Sequence, residues 1–242
     1  MIELEDVHKR LGGRDILQGL TLRVPKGVNF VLMGPSGTGK SVTLKHVIGI
    51  FRPDAGVVHV DGQDVAAMDR AALMGLRKRM GYLFQNGALI NWLSVAANVA
   101  LPLQEHGRLP KSELDERVHQ VLKLVGMDHA AAQYPSDISG GMKLRAGLAR
   151  ALITQPEYVL YDEPNAGLDP IISRQIHELI AEVRDTLSVT GLIVTHSRAC
   201  ATQCGDRIGI LEDGRIAVEG SVDEIVASDH PLARAFMGEG SD

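Results

Sequence analysis

With 242 residues, 45% of them hydrophobic, the chain can bury a sizeable core in one large or two small domains. A formal charge of −5, from 25 Lys and Arg against 30 Asp and Glu, leaves no overall basic footprint and argues against nucleic acid as a partner. The two cysteines, Cys200 and Cys204, stand four apart without a second pair or a histidine cluster, which predicts a reduced pair in the cytosol and not a disulfide framework or a zinc site.

The chain opens on Met1-Ile2-Glu3-Leu4-Glu5-Asp6, acidic where a leader would be basic and then apolar, so a cytoplasmic location is expected. Ile2 to Val7 and Leu20 to Val24 alternate apolar and polar residues, as half-buried antiparallel strands do. Pro25-Lys26-Gly27 then turns the chain into the apolar run Phe30 to Met33. Next comes Gly34-Pro35-Ser36-Gly37-Thr38-Gly39-Lys40-Ser41, which fits G-x-x-x-x-G-K-[ST] between a strand and a helical run ending near Gly49. Its glycines let backbone N–H groups curl inward around phosphate anions, Lys40 adds a cation for the outer phosphates, and the Ser41 hydroxyl suits Mg²⁺. These eight residues and Thr43, in the helix that follows, form the expected nucleotide-binding set.

Val57 to Val60 closes on Asp61-Gly62, a tight-turn dipeptide, and Arg77-Lys78-Arg79 reads as the solvated face of a helix. Three apolar runs, Tyr82 to Phe84, Tyr158 to Tyr161 and Leu192 to Val194, read as central parallel strands buried on both faces. From about 86 to 155 helical spacing takes over, through Leu114, Val118, Val121, Leu122 and Val125 and then Leu144, Leu148, Ala151 and Leu152. The weakly polar stretch Ala88 to Leu103 is broken by Asn91, Ser94, Asn98 and Pro102 and is too short to span a bilayer, so any membrane role runs through a partner. A hairpin around Asp213-Gly214 and a short helix from about Ser221 to Ala227 follow. The predicted organisation is an α/β core with an antiparallel β subdomain (about 1–85 and 156–220), an inserted helical subdomain (about 86–155) and a tail (221–242) whose acidic end has no assigned role.

Tyr158 to Tyr161 ends in Asp162-Glu163. Beside a phosphate loop, the first acid of such a strand end anchors the Mg²⁺ shell and the second is placed to orient or deprotonate water. Ser139-Gly140-Gly141 precedes the helical run Met142 to Ile153; read alone it could be no more than a helix cap, although its N–H groups suit an anion. Gln85 and His196 each follow a core strand.

Taken in order, the phosphate loop, Gln85, Ile138-Ser139-Gly140-Gly141-Met142, Asp162-Glu163, Gly167-Leu168-Asp169 and His196 resemble the ATP-binding subunit of ABC transporters, over roughly residues 2–220. The resemblance implies a RecA-like P-loop NTPase core of the ABC ATPase type. It implies ATP and Mg²⁺ as cofactors, with Ser41, Gln85 and Asp162 on the metal side and Glu163, His196 and Gln85 catalytic, Gln85 as metal and γ-phosphate sensor and His196 on the γ-phosphate. It further implies that Ser139, Gly140 and Gly141 act on ATP held by a second, head-to-tail copy, with Asp169 in the contact. Two positions depart from the family pattern. Leu11, within His8-Lys9-Arg10-Leu11-Gly12-Gly13, stands where an aromatic usually stacks on adenine, which loosens the expected base selectivity, and Met142-Lys143 replaces the usual Gln.

The Ser-Gly-Gly-Met form, with Phe84-Gln85-Asn86-Gly87-Ala88-Leu89 and Asn98-Val99-Ala100-Leu101-Pro102-Leu103, is similar to the lipid-transport branch, the Mla or Mce-associated ATPases of double-membraned bacteria. Asn165-Ala166 departs from the threonine-rich version usual there. The resemblance implies an energy subunit for phospholipid movement between inner and outer membranes, peripheral on the inner membrane's cytoplasmic face. Its implied partners are a multi-spanning permease, a substrate-binding Mce-domain protein and a small regulatory subunit. Trp92 with Leu89, Ile90, Leu93 and Val95 is either a groove for a permease helix or helical-subdomain core. The alternatives are another ABC importer or exporter, a soluble ABC ATPase of DNA repair or translation, and a small-molecule P-loop kinase.

Overall fold

The computed structural model describes residues 1–107 and 109–238; the acidic end of the tail, past Gly238, lies outside the described residues. In chain order, a hairpin of β1 (Ile2–Leu11) and β2 (Arg14–Val24) is followed by β3 (Asn29–Met33) and helix α1 (Lys40–Val47). A second hairpin, β4 (Ala55–Val60) and β5 (Gln63–Asp64), leads through α2 (Arg70–Lys78) to β6 (Met80–Leu83). Helices α3 (Val95–His106), α4 (Lys111–Leu124) and α5 (Gly140–Leu152) come next, then β7 (Tyr158–Asp162), α6 (Pro170–Leu187), β8 (Thr190–Thr195) and α7 (Arg198–Cys204). The chain closes with the hairpin β9 (Arg207–Glu212) and β10 (Arg215–Ser221) and the short helices α8 (Val222–Val226) and α9 (Pro231–Met237).

Two sheets result. One is antiparallel in the order β2-β1-β4-β5; the other has six strands in the order β10-β9-β3-β8-β7-β6, parallel except at the β10 edge. The Asp-Gly pairs turn as expected. Asp61 and Gly62 (φ 51° and 76°) and Asp213 and Gly214 (φ 44° and 74°) have the two consecutive positive φ values of a tight hairpin turn. The first hairpin is longer than the alternation predicts, because Asp6 (φ 48°) interrupts β1 between Leu4 and Val7 and throws the in-out pattern out of phase.

The parallel strands alternate between two apolar clusters. Val31, Met33, Val159, Tyr161 and Ile193 face the cluster shared with α3 to α7, while Phe30, Leu32, Leu160, Leu192 and Val194 face α1 and the antiparallel sheet. Tyr161 apart, each such side chain, fully buried, contributes about 1.5–3 kcal/mol. The basic run is not the solvated face predicted for it. Arg77 donates to the carbonyls of Ile48 and Gly49 at 2.9 and 3.1 Å, and Arg79 binds Glu157 and Asp61, so only Lys78 remains exposed. Cys200 and Cys204 are buried and free.

The segment after Gln85 is held from beneath. Buried Asn98 accepts from the N–H of Ile90 at 2.7 Å and donates to the carbonyls of Ile90, Leu93 and Ser94, pinning a loop that presents Trp92 to solvent at 79% exposure. Trp92 is therefore not core. Leu89, Ile90 and Leu93 are half-buried around it, and Val95, expected in the same patch, is fully buried.

Candidate functional site

Four neighbouring parallel strands end on the same edge of the six-stranded sheet and deliver the chemistry. After β3 comes the phosphate loop, after β8 His196, at the end of β7 Asp162 and Glu163, and beyond β6 Gln85. The carboxyl ends of parallel strands are where α/β sheets place their ligands.

Gly34 and Gly39 bend the loop at φ values of 152° and 108° that exclude side chains for a second reason: a Cβ would stand 2.6 Å from the Leu211 carbonyl oxygen and 2.8 Å from Leu17 Cδ2. Lys40 lies 6% exposed beneath it, its Nζ donating to the carbonyls of Gly34 and Pro35 at 2.7 and 3.0 Å and standing 3.8 Å from Glu163. Burial pulls the Lys40 ammonium below its ordinary range, and Glu163 and Asp162 oppose that pull. Thr38 Oγ1 braces the loop on Pro35 at 2.8 Å. Thr43 is buried, its hydroxyl tied to the Gly39 carbonyl at 3.1 Å; it holds the start of α1 and does not line the pocket.

The carboxylates are fixed just as specifically. Asp162 accepts from Ser41 Oγ at 2.7 Å on one oxygen and from the Tyr82 hydroxyl at 2.9 Å on the other. Burial, together with the Asp162 charge, drives the Tyr82 phenol far above its ordinary range, so it stays a donor. Glu163 has a left-handed backbone (φ 49°) anchored by its N–H to the Val194 carbonyl at 2.9 Å. His196 Nδ1 lies 3.0 Å from both of its oxygens and donates to Oε1, while Oε2 is buried without a hydrogen bond among the described residues.

Lys40, Ser41, Glu163 and His196 line one pocket of about 350 Å³ with Ser36, Gly37, Gly39 and Gln85, and with Leu11, Ile16 and Val42 as its apolar walls; Gly34, Pro35, Thr38 and Asp162 stand behind that lining. Glycine-exposed N–H groups, a buried ammonium and an apolar wall match a triphosphate and its base. The hydroxyl and carboxylate of Ser41 and Asp162 are the hard oxygen donors Mg²⁺ takes.

Ser139, Gly140, Gly141 and Asp169 do not line this pocket. Ser139 caps α5, accepting from Met142 N at 3.3 Å, and Asp169 caps α6, accepting from the N–H groups of Ile171 and Ile172 at 3.0 Å each. The two helix starts abut, since a Cβ on Gly141 would fall 2.4 Å from Ile172 Cγ2. Ser139 and Gly140 are exposed. Sequence reading missed Tyr82, Ile16 and Val42. A tyrosine inside an otherwise apolar central strand was the available signal for the first; the other two carry none.

A family model described as ABC transporter matches residues 17–166. The chain is 39% identical over 98% of its length to a probable ribonucleotide transport ATP-binding protein, mkl, of Mycobacterium leprae, covering 68% of that protein. It is also 39% identical, over 98% of its length and 88% of the relative, to the intermembrane phospholipid transport system ATP-binding protein MlaF of Escherichia coli K12. Among solved structures, the dimeric ATP-binding cassette MJ0796 bound to ADP and phosphate superposes with a TM-score of 0.83 at 30% identity, over 92% of this chain and 99% of that one.

Proposed function

The chain belongs to the ABC transporter family and is an ATP-hydrolysing subunit of it, and on that premise we propose that it powers phospholipid movement between two membranes as a head-to-tail dimer docked on a permease. The observation that carries the reading is the convergence of Lys40, Glu163 and His196 in one pocket from which Ser139–Gly141 are absent. A pocket complete on one side and open on the other, beside an exposed helix N-terminus elsewhere on the same chain, suits two copies that each close the other's site.

In this reading Lys40 and the loop N–H groups hold the β- and γ-phosphates. Ser41 and Asp162, with Gln85, would hold Mg²⁺, which when bound neutralises phosphate charge. Glu163 takes the proton of the attacking water, its backbone N–H anchored on the Val194 carbonyl and its carboxylate oriented by His196 Nδ1. The second ring nitrogen of His196 is then left to face the γ-phosphate. Closure of the dimer brings Ser139–Gly141 of the other copy onto the triphosphate, which links hydrolysis to a mechanical change in the permease.

The exposed Trp92, on a loop braced by Asn98, is the proposed seat of a permease helix. No helix among the described residues is long and apolar enough to cross a membrane, so attachment to the cytoplasmic face runs through that permease. An Mce-domain protein and a small regulatory subunit complete the proposed assembly. The two relatives above are named for different cargoes at equal identity. The lipid reading is favoured by the greater share of the phospholipid protein that this chain covers.

Purification of the tagged chain from detergent-solubilised membranes tests the proposal. A permease and an Mce-domain protein should co-purify, and the complex should move phospholipid between vesicles on ATP addition. Recovery of ribosomes or DNA without a permease would overturn it in favour of a non-transport ATPase, and a permease whose complex moves no lipid would overturn the cargo. Trp92→Ala should lose the permease while still binding ATP; full retention of the permease would put the docking seat elsewhere.

A further inference from the structure

Gln85 is followed by three residues in the left-handed region: Asn86 (φ 59°, ψ 18°), Gly87 (φ 75°) and Ala88 (φ 43°, ψ 51°). Two of them carry a Cβ, for which this conformation is unfavourable, and a run of three needs outside support.

The support comes from α5. The two terminal nitrogens of the Arg150 guanidinium donate to consecutive carbonyls of the turn, Nη1 to Ala88 and Nη2 to Gly87, each at 2.8 Å. Arg150 is half-buried, and among the described residues its guanidinium bonds to the turn and to no acid. The backbones also touch. A Cβ on Gly87 would fall 2.3 Å from the Lys143 carbonyl oxygen, and one on Gly147 would fall 2.8 Å from Gly87 Cα. At Gly87, Lys143 and Gly147 the helix and turn backbones meet directly, and one turn further on the Arg150 side chain bridges them.

The same helix begins at Ser139–Gly141 and runs 13 residues, about 20 Å. Gln85, which faces this chain's own nucleotide pocket, and the helix start presented to the other copy's nucleotide therefore belong to one stiff piece. We propose that Arg150 is a positioning residue whose guanidinium, bonded to two consecutive carbonyls, locks the turn to α5 in the conformation that holds Gln85 in the pocket. This rests on the role proposed above for Gln85.

Arg150→Lys keeps the charge but cannot bond two carbonyls in parallel. In the full-length protein, kcat should fall about tenfold or more, with KM for ATP within about threefold, because the phosphate loop is untouched. Ala88→Gly, which removes the least favourable Cβ, should restore part of that loss in the Arg150→Lys background. Amide exchange at residues 86–89 should quicken about tenfold while α5 stays protected. Unchanged exchange at 86–89 would overturn the clamp, whatever the kinetics. Added to Gln85→Ala, Arg150→Lys should cost less than about twofold further; full additivity would mean that Arg150 acts on kcat by some route other than Gln85 and would overturn the proposal. If Gln85→Ala alone turns over at the wild-type rate, the role given to Gln85 fails, and the clamp is then decided by the exchange at 86–89.

Discussion

Glu163→Gln separates binding from chemistry at this site. The substitution keeps size and shape: the side-chain oxygen can still accept from His196 Nδ1, while the new amide nitrogen takes the place of Oε2, which has no hydrogen-bond partner among the described residues. An unsatisfied buried donor there costs about 1–3 kcal/mol of folding stability, a modest loss for a domain this size. Removal of the base lowers kcat by about 10² to 10⁴. Nucleotide affinity moves the other way. At 3.8 Å the Glu163 carboxylate attracts the Lys40 ammonium by about 4 kcal/mol at an effective dielectric near 20. It competes with phosphate for the same cation, and if about a third of that attraction is released to the triphosphate, binding tightens roughly tenfold. Single-turnover hydrolysis measured alongside a fluorescent-nucleotide titration reads both effects. Turnover within about threefold of wild type would show that another group is the base, and weakened binding would show that Glu163 does not oppose the phosphates.

Three further outcomes are expected. Ser139→Arg and Lys40→Ala should each abolish steady-state hydrolysis, and an equimolar mixture should regain up to about a quarter of wild-type activity, because half its dimers hold one intact composite site; no recovery would refute closure in trans. Leu11→Tyr should supply the missing stacking face and tighten ATP about fivefold in a direct titration, and an unchanged Kd would move the base away from the Leu11 wall. At Asp61, burial pushes the carboxyl up, but bonds from the N-terminal ammonium, Tyr158, Arg79 and Lys26 outweigh it and hold the group well below the carboxylate range. Its folded pKa being depressed, Asp61 stabilises the protein above the unfolded value near 4 and loses that effect as pH falls below it, so Asp61→Asn should cost about 1–3 kcal/mol in urea unfolding at pH 7. That gap should narrow below about pH 4; an equal gap throughout would mean that the carboxylate charge contributes nothing.

The parts of the site that sequence carried plainly were those where one residue type can do the work. Glycines forced into left-handed turns, a lysine after them and two acids ending an apolar strand leave little freedom of interpretation. Helix α6 was not anticipated, although Asp169-Pro170 is a cap followed by a first-turn proline and Ile172, Ile176, Leu179, Ile180 and Val183 keep helical spacing, so its signal was present. Arg77 and Arg79 were misread for a physical reason, because their acceptors are two carbonyls about 28 residues earlier in the chain and two acids, Asp61 and Glu157, that only folding brings close. Arg150 belongs to the same class: nothing in its neighbourhood along the chain announces two carbonyls some 60 residues away. Thr43, two residues past the phosphate motif, is buried with its hydroxyl on the Gly39 carbonyl, a contact that spacing from the motif does not reveal.

The alternation along β3 has a consequence for how such a protein can diversify. Val31 and Met33 lean against one apolar cluster and Phe30 and Leu32 against the other, so the strand is a party wall between two interiors. Side chains behind Trp92 and along α3 to α5 sit on one side of it, and those behind the antiparallel sheet sit on the other. A lineage can therefore refit the rooms on one side without disturbing the packing behind the opposite wall, while the loop at the end of that strand goes on handling the same fuel.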